Sequence, residues 1–233
     1  MTCIIEPISE ELQNNYTFIL EAVHSSDDLK KRDFNFKGKQ GICLFIETLI
    51  DIDKLEKMFL SNIQKEINDL KECISASEIK VIQQLNGILR ELQKGAVAIF
   101  LEGEREAYVF NVKSTLDRAV EEPANEKIVR GSHDGFVETL MTNLHILRSR
   151  IQNRDMVIKY HTVGTETNTR IALVYLASIA NSEIVREVED KLKSISTDMV
   201  FSPGVLEEFL EDDTLSPFPQ MLNTERPDRV MAK

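Results

Sequence analysis

Apolar residues recur at helical spacing from Leu12 onward: Leu12, Tyr16, Ile19, Leu20 and Val23 share one face, behind a start signal at Ser9, Glu10 and Glu11. The pattern stops near Ser25 and Ser26. Phe34 and Phe36 then alternate with polar residues, Gly38 and Gly41 bracket a turn, and residues 42–46 form an apolar run. The period has dropped from 3.6 to two, which predicts a hairpin. Asp53 and Glu56 have capping-box spacing, and Leu55, Phe59, Ile63 and Leu70 follow on one helical face. A further helix is predicted after Ser75, with Glu78 in its first turn and Ile82, Leu85, Leu89 and Leu92 facing inward, ended by Gly95. Residues 96–101 read as a buried strand. Glu102 and Gly103 form the turn, and Tyr108, Phe110 and Val112 alternate on the return strand.

The character changes over residues 113–135, where Glu121, Glu122, Pro123, Gly131, Ser132, Asp134 and Gly135 are turn and cap residues. Beyond them Phe136, Val137, Leu140, Met141, Leu144, Leu147 and Ile151 predict a strong helix. Residues 157–163 and 170–177 predict two strands around a polar loop. Asn181 or Ser182 caps a helix with Ile184, Val185, Val188 and Leu192 on its face, and Pro203 and Gly204 lead into a short acidic helix. The two halves match. Leu12, Tyr16, Ile19 and Val23 correspond to Leu140, Leu144, Leu147 and Ile151 at a shift of 128, and the run from Ile42 to Ile63 corresponds to that from Ile171 to Leu192 at a shift of 129. Amphipathic spacing alone generates matches of this kind, so a true internal repeat and a chance echo both remain open. The expected fold is α/β (α+β): two related lobes, each a small mixed or antiparallel sheet packed with helices. The lobes are assigned to residues 1–115 and 135–233, with a linker at 116–134. The second lobe lacks a counterpart of the hairpin at 96–112, as if cut short before its repeat finishes.

Composition narrows the classes. A net charge of −11 argues against nucleic acid and anionic lipid as broad partners, and serves solubility in any case. The 3 cysteines, Cys3, Cys43 and Cys73, form no C-x-x-C pair, and the 4 histidines are scattered without ligand spacing, so free thiols and no metal or other cofactor are expected. The longest apolar run, residues 171–180, is about half of the roughly 20 residues that a spanning helix needs. Residues 1–20 have no signal-peptide pattern.

Candidate chemistry is sparse. Arg148, Arg150 and Arg154 at a helix end offer either an anion grip or charges complementing the helix C-terminus, and the second is the commoner use. The loop from Arg130 to Gly135 offers phosphate binding or plain helix entry. It lacks the P-loop pattern, and Asp134 would repel phosphate. Glu102, Glu104 and Glu106 offer acid–base carboxylates or a solvated hairpin tip. No nucleophile has a plausible base beside it in the sequence, so an enzyme is not expected.

Residues 216–228, SPFPQMLNTERPD, fit neither a helix interior nor a plain linker. They read as a shaped loop that docks through Phe218 and Met221, with Thr224 capping a following helix and Pro227 in its first turn. Glu225, Arg226 and Asp228 then either close a local ion-pair set or hold a neighbouring subunit, local pairing being the commoner fate at a chain turn. Taken with Glu122-Pro123, IVRGSHDGFVETLMTNLHILRSRI (128–151) and IALVYLASIAN (171–181), this segment resembles the spore germination A-subunit family of nutrient germinant receptors. The resemblance is specific from about residue 120 onward and looser before it. The matching positions are Arg130, Gly131, Phe136, Asn143, Arg148, Arg150, Pro217, Phe218, Pro219, Thr224, Glu225, Arg226, Pro227 and Asp228, and the match assigns none of them a role. It implies a non-enzymatic N-terminal region of a longer membrane subunit, on the spore-core face of the inner membrane. The implied partners are a transporter-like B subunit, a lipoprotein C subunit and other A subunits. A binding module with a nutrient, ion or nucleotide in a cleft between two lobes is the alternative.

Overall fold

The computed structural model describes residues 6–63, 69–114, 135–211 and 220–232. Its contacts group into two units, residues 1–117 with 148–155, and residues 118–147 with 156–233.

Unit 1 is built on a five-stranded antiparallel sheet. In chain order its elements are α1 (Leu12–Ala22), β1 (Leu29–Phe36), β2 (Lys39–Ile46), α2 (Ile52–Leu55), α3 (Leu70–Cys73), β3 (Ile79–Ile82), α4 (Leu85–Leu92), β4 (Ala96–Leu101) and β5 (Ala107–Asn111). The strand order is β1-β2-β4-β5-β3. Strands β2 and β4 are central and covered on both faces, which is why they read as continuous apolar runs rather than alternating ones. Ile42, Leu44, Ile46, Ala98, Phe100 and Val109 point to a core roofed by α1 and α4, with Ile19 and Leu89. Their neighbours Cys43, Phe45, Val97, Ile99 and Phe110 point to a second core with Leu55, Phe59, Leu70 and Cys73. Phe59 is fully buried, stands edge-on to Phe34 at 5.3 Å between ring centroids, and contributes about 1.5–3 kcal/mol through burial.

Two helical expectations in this unit need correction. The cap after β2 is Asp51, whose Oδ1 accepts from the Lys54 N–H at 3.0 Å, so the cap lies two residues before Asp53 and the helix starts at Ile52. The helix then widens into a π turn over Glu56–Leu60, closed by Ser61 N–H to Glu56 C=O, and Leu70 belongs to a separate short helix. Residues 79–82 are a strand, not a helix. Ile79 packs on one core and Ile82 on the other, as a strand between two layers requires, and α4 begins only at Leu85. Gly95, at φ +83°, ends that helical segment as expected, with the Leu49 carbonyl oxygen 2.9 Å from where a Cβ would sit.

In the rest of the chain come α5 (Leu140–Arg150), β6 (Met156–Val163), β7 (Thr169–Leu176), α6 (Ser182–Ser194), α7 (Pro203–Leu210) and α8 (Pro227–Met231). All of these belong to unit 2 except the last turn of α5, residues 148–150, which groups with unit 1. Strands β6 and β7 pair antiparallel around Gly164, and Asn181 caps α6 by accepting from the Glu183 N–H at 2.9 Å. Phe136 and Val137, expected inside the helix, precede it.

The internal repeat carries through to the pairing. Adding 128 to the bounds of α1, 12 and 22, reaches those of α5, 140 and 150. The β1–β2 pair Leu29↔Ile46, moved by 128 and 129, becomes Val157↔Tyr175, and Asp33↔Ile42 becomes His161↔Ile171; both are pairs of β6–β7.

Candidate functional site

Three groups of the expected residues make specific contacts. The first lies at the end of α1. His24 and Ser25, both at φ 53°, turn the chain so that Ser26 and Asp28 face inward. Asp28 is fully buried and accepts bonds from Arg148 Nη2 at 2.7 Å and Nε at 3.1 Å, Ser26 Oγ at 2.6 Å and Thr48 Oγ1 at 2.8 Å. Arg148 is 3% exposed. It sits in the last turn of α5, as a charge complementing a helix C-terminus would, and it is also one half of a buried, bidentate pair within unit 1. Its neighbours differ. Arg150 is exposed, and Arg154 lies 3.8 Å from Asp155 with its side chain 55% exposed.

The second group forms the entry to α5. The Asn143 amide accepts from the Val137 N–H at 2.8 Å and donates to the Val137 carbonyl at 2.6 Å, closing a loop that fixes Phe136 and Val137 ahead of the helix. The Phe136 N–H donates to the Glu225 carbonyl at 2.8 Å, which joins this entry to the C-terminal segment.

The third group is that segment. Pro227 is buried at the first position of α8, as expected. The cap position is Arg226, not Thr224. The Thr224 hydroxyl instead accepts from the Arg226 N–H at 3.2 Å, a turn just outside the helix. Arg226 Nε donates to Asp228 at 3.1 Å, and that guanidinium holds the Asp228 carboxyl below its ordinary value. Arg226 and Asp228 thus pair locally, one of the two fates left open for these charges. Arg130, Gly131, Asp134, Pro217, Phe218 and Pro219 lie outside the described residues.

The hairpin carboxylates are not merely solvated. Glu102 accepts from the Leu12 N–H at 3.2 Å and so caps α1 from across the unit, Glu104 pairs with Lys39 at 3.2 Å, and Glu106 accepts from the Tyr108 hydroxyl at 3.1 Å. Burial and that bond push the Tyr108 phenol up to about 12. Among the described residues no group of histidine, cysteine and carboxylate side chains is placed to hold a metal, and no helix is long and apolar enough to cross a membrane. Asp28, Ser26 and Thr48 were missed from the sequence, because nothing local distinguishes a buried aspartate from a turn aspartate.

Residues 17–233 match the family model described as Bacillus/Clostridium GerA spore germination protein. The chain belongs to the GerA family. Among GerA relatives, it is 34% identical to spore germination protein B1 of Bacillus subtilis over 96% of this chain and 48% of the relative. It is 30% identical to the uncharacterized membrane protein YfkQ of the same organism, over 97% and 46%. Its fold matches the crystal structure of the N-terminal domain of the A subunit of the Bacillus megaterium spore germinant receptor GerK3, with TM-score 0.72, 25% identity and coverage of 98% of this chain and 89% of that one. The chain thus spans about half the length of the curated GerA relatives it matches, and the expected α/β architecture is that of a GerA N-terminal domain.

Proposed function

We propose that this chain is the N-terminal region of a germinant receptor A subunit, and that it acts in receptor assembly and in passing on the nutrient signal during spore germination. The observation that carries the reading is the match to the GerK3 A-subunit domain over 98% of the chain. Two features agree with it. Asn143, Arg148, Arg226 and Asp228 are spent on holding chain segments in position rather than converging on a reaction centre. Within unit 1 a concavity of about 1130 Å³ is an open groove where Arg105 and Glu10 pair with each other. The role is non-enzymatic. The region sits on the spore-core face of the inner membrane and works by contact with a transporter-like B subunit, a lipoprotein C subunit and further A subunits. Nutrient binding elsewhere in the complex displaces subunits, and this domain transmits the displacement mechanically.

Spores that depend on this receptor, carrying Arg226→Ala in the A subunit, test the reading. Expected are normal folding of the purified chain, slowed nutrient-triggered loss of optical density, and reduced recovery of B and C subunits with tagged A subunit. Wild-type germination in spores lacking the A-subunit gene would refute it. A saturable calorimetric isotherm of the purified chain with an amino acid, sugar or nucleotide would favour the binding-module alternative.

A further inference from the structure

Sheet edges are templates for strand addition, and proteins ordinarily blunt them with charge, proline or brevity. Unit 1 follows that rule. Its edge strand β1 carries Lys30, Lys31, Arg32 and Asp33, and its other edge, β3, is only 4 residues long with Lys80 in it. Strand β7 does not. It is 8 residues long, TRIALVYL, with no charge, proline or glycine from 171 to 176. Its one charge, Arg170, lies over the Tyr160 ring of β6 at 4.1 Å. In composition β7 is an interior strand, like β4. Yet none of its residues is fully buried, whereas β4 is buried throughout, and among the described residues the unit 2 sheet ends at β7.

The repeat says what is missing. Strand β7 corresponds to β2 at the shift of 129 that the pairing register supports. On its far side β2 is paired antiparallel by β4 at Gly41 through Leu44, and those residues map onto Arg170 through Leu173. We propose that the open edge of β7, at residues 170–173, takes an uncharged apolar strand in antiparallel register, and that this strand comes from the polypeptide that follows residue 233 in the full-length subunit. The inference rests on the reading above that the chain is part of a longer subunit. Three observations favour this source. Relatives are about twice as long as this chain. The last helix, α8, belongs to unit 2, the unit with the open edge. In unit 1 the corresponding slot is filled in cis, by a strand later in sequence than the one it pairs with.

Hydrogen–deuterium exchange on the 233-residue chain and on the full-length subunit in detergent tests this. Amides of residues 170–174 on the open side of β7 should exchange at least about tenfold more slowly in the full-length protein, while those of β4 stay unchanged. Equal, fast exchange in both proteins overturns the proposal and leaves the reading of function intact. Slow exchange already in the 233-residue chain also overturns it. The edge is then covered by this chain itself if the protein is monomeric, or by a second copy if protection rises with concentration and light scattering reports a dimer. The intact mass of the subunit from its native host isolates the remaining case: a mature protein ending at residue 233 sinks both the proposal and the reading beneath it.

Discussion

Replacing Arg148 with alanine should destabilise unit 1 by about 3 kcal/mol. Asp28 is fully buried, and its carboxylate takes its two shortest guanidinium bonds, 2.7 and 3.0 Å, from Arg148 Nη2. Deleting the arginine strands that charge with two hydroxyl donors, Ser26 and Thr48. Breaking a buried pair from one side costs about 3–5 kcal/mol, and the surviving hydroxyls place the expectation at the lower end. Removing both charges, as Asp28→Ala with Arg148→Met, eliminates the stranded carboxylate and should recover about 2 kcal/mol relative to additivity. Urea titrations followed by far-UV circular dichroism at pH 7 measure this as a fall in midpoint with little change in slope. The loss should persist in high salt, because buried pairs are poorly screened. A single variant that costs under about 1 kcal/mol, or a double variant that costs the sum of its parts, would refute the burial argument.

Other consequences are as direct. Burial pushes the Cys43 thiol up to about 12, so in a Cys3→Ser background it should resist Ellman's reagent at pH 8 and react once urea unfolds the chain; prompt reaction in the native state would contradict its position. The Glu91 carboxyl is held below its ordinary 4.5, chiefly by its bond from Lys94 and further by Lys80. It binds protons less readily folded than unfolded, so its stabilisation is complete above pH 4.5 and is lost as the pH falls through the lower native value. Glu91→Gln should flatten the fall of the urea midpoint below pH 4.5, and an unchanged acid limb would argue against the coupling. A Cβ at Gly41 would fall 2.3 Å from the Phe34 ring, so Gly41→Ala should cost about 1–3 kcal/mol in a thermal or urea melt, and a neutral result would mean the ring moves freely.

Much of the fold was legible because local pattern and tertiary role agree. Residues 96–101 are apolar at every position and become a strand covered on both faces. The spacing of Leu12 through Val23 recurs at Leu140 through Ile151, and each becomes a helix of the same length. Legibility failed where two local readings compete. Glu78 after Ser75 mimics a capping box, but Ile79 and Ile82 sit between two cores and only an extended chain can serve both. Thr224 and Asp53 are good capping residues two positions from the caps actually used, and the choice between them is set by where the chain must enter each helix.

The family motif was readable as a pattern, but its chemistry was not. Arg148 beside Arg150 on one helix end looks like a pair of equivalent surface charges. One is buried and the other exposed because Asp28, 120 residues earlier, meets only the first. The sequence alone determined α1, α6 and the hairpins, since each depends on the period of apolar residues along a short stretch of chain. Which charges are buried, which carboxylate caps a distant helix, and which sheet edge is left without charge were decided only in three dimensions, because each depends on a partner that sequence distance hides.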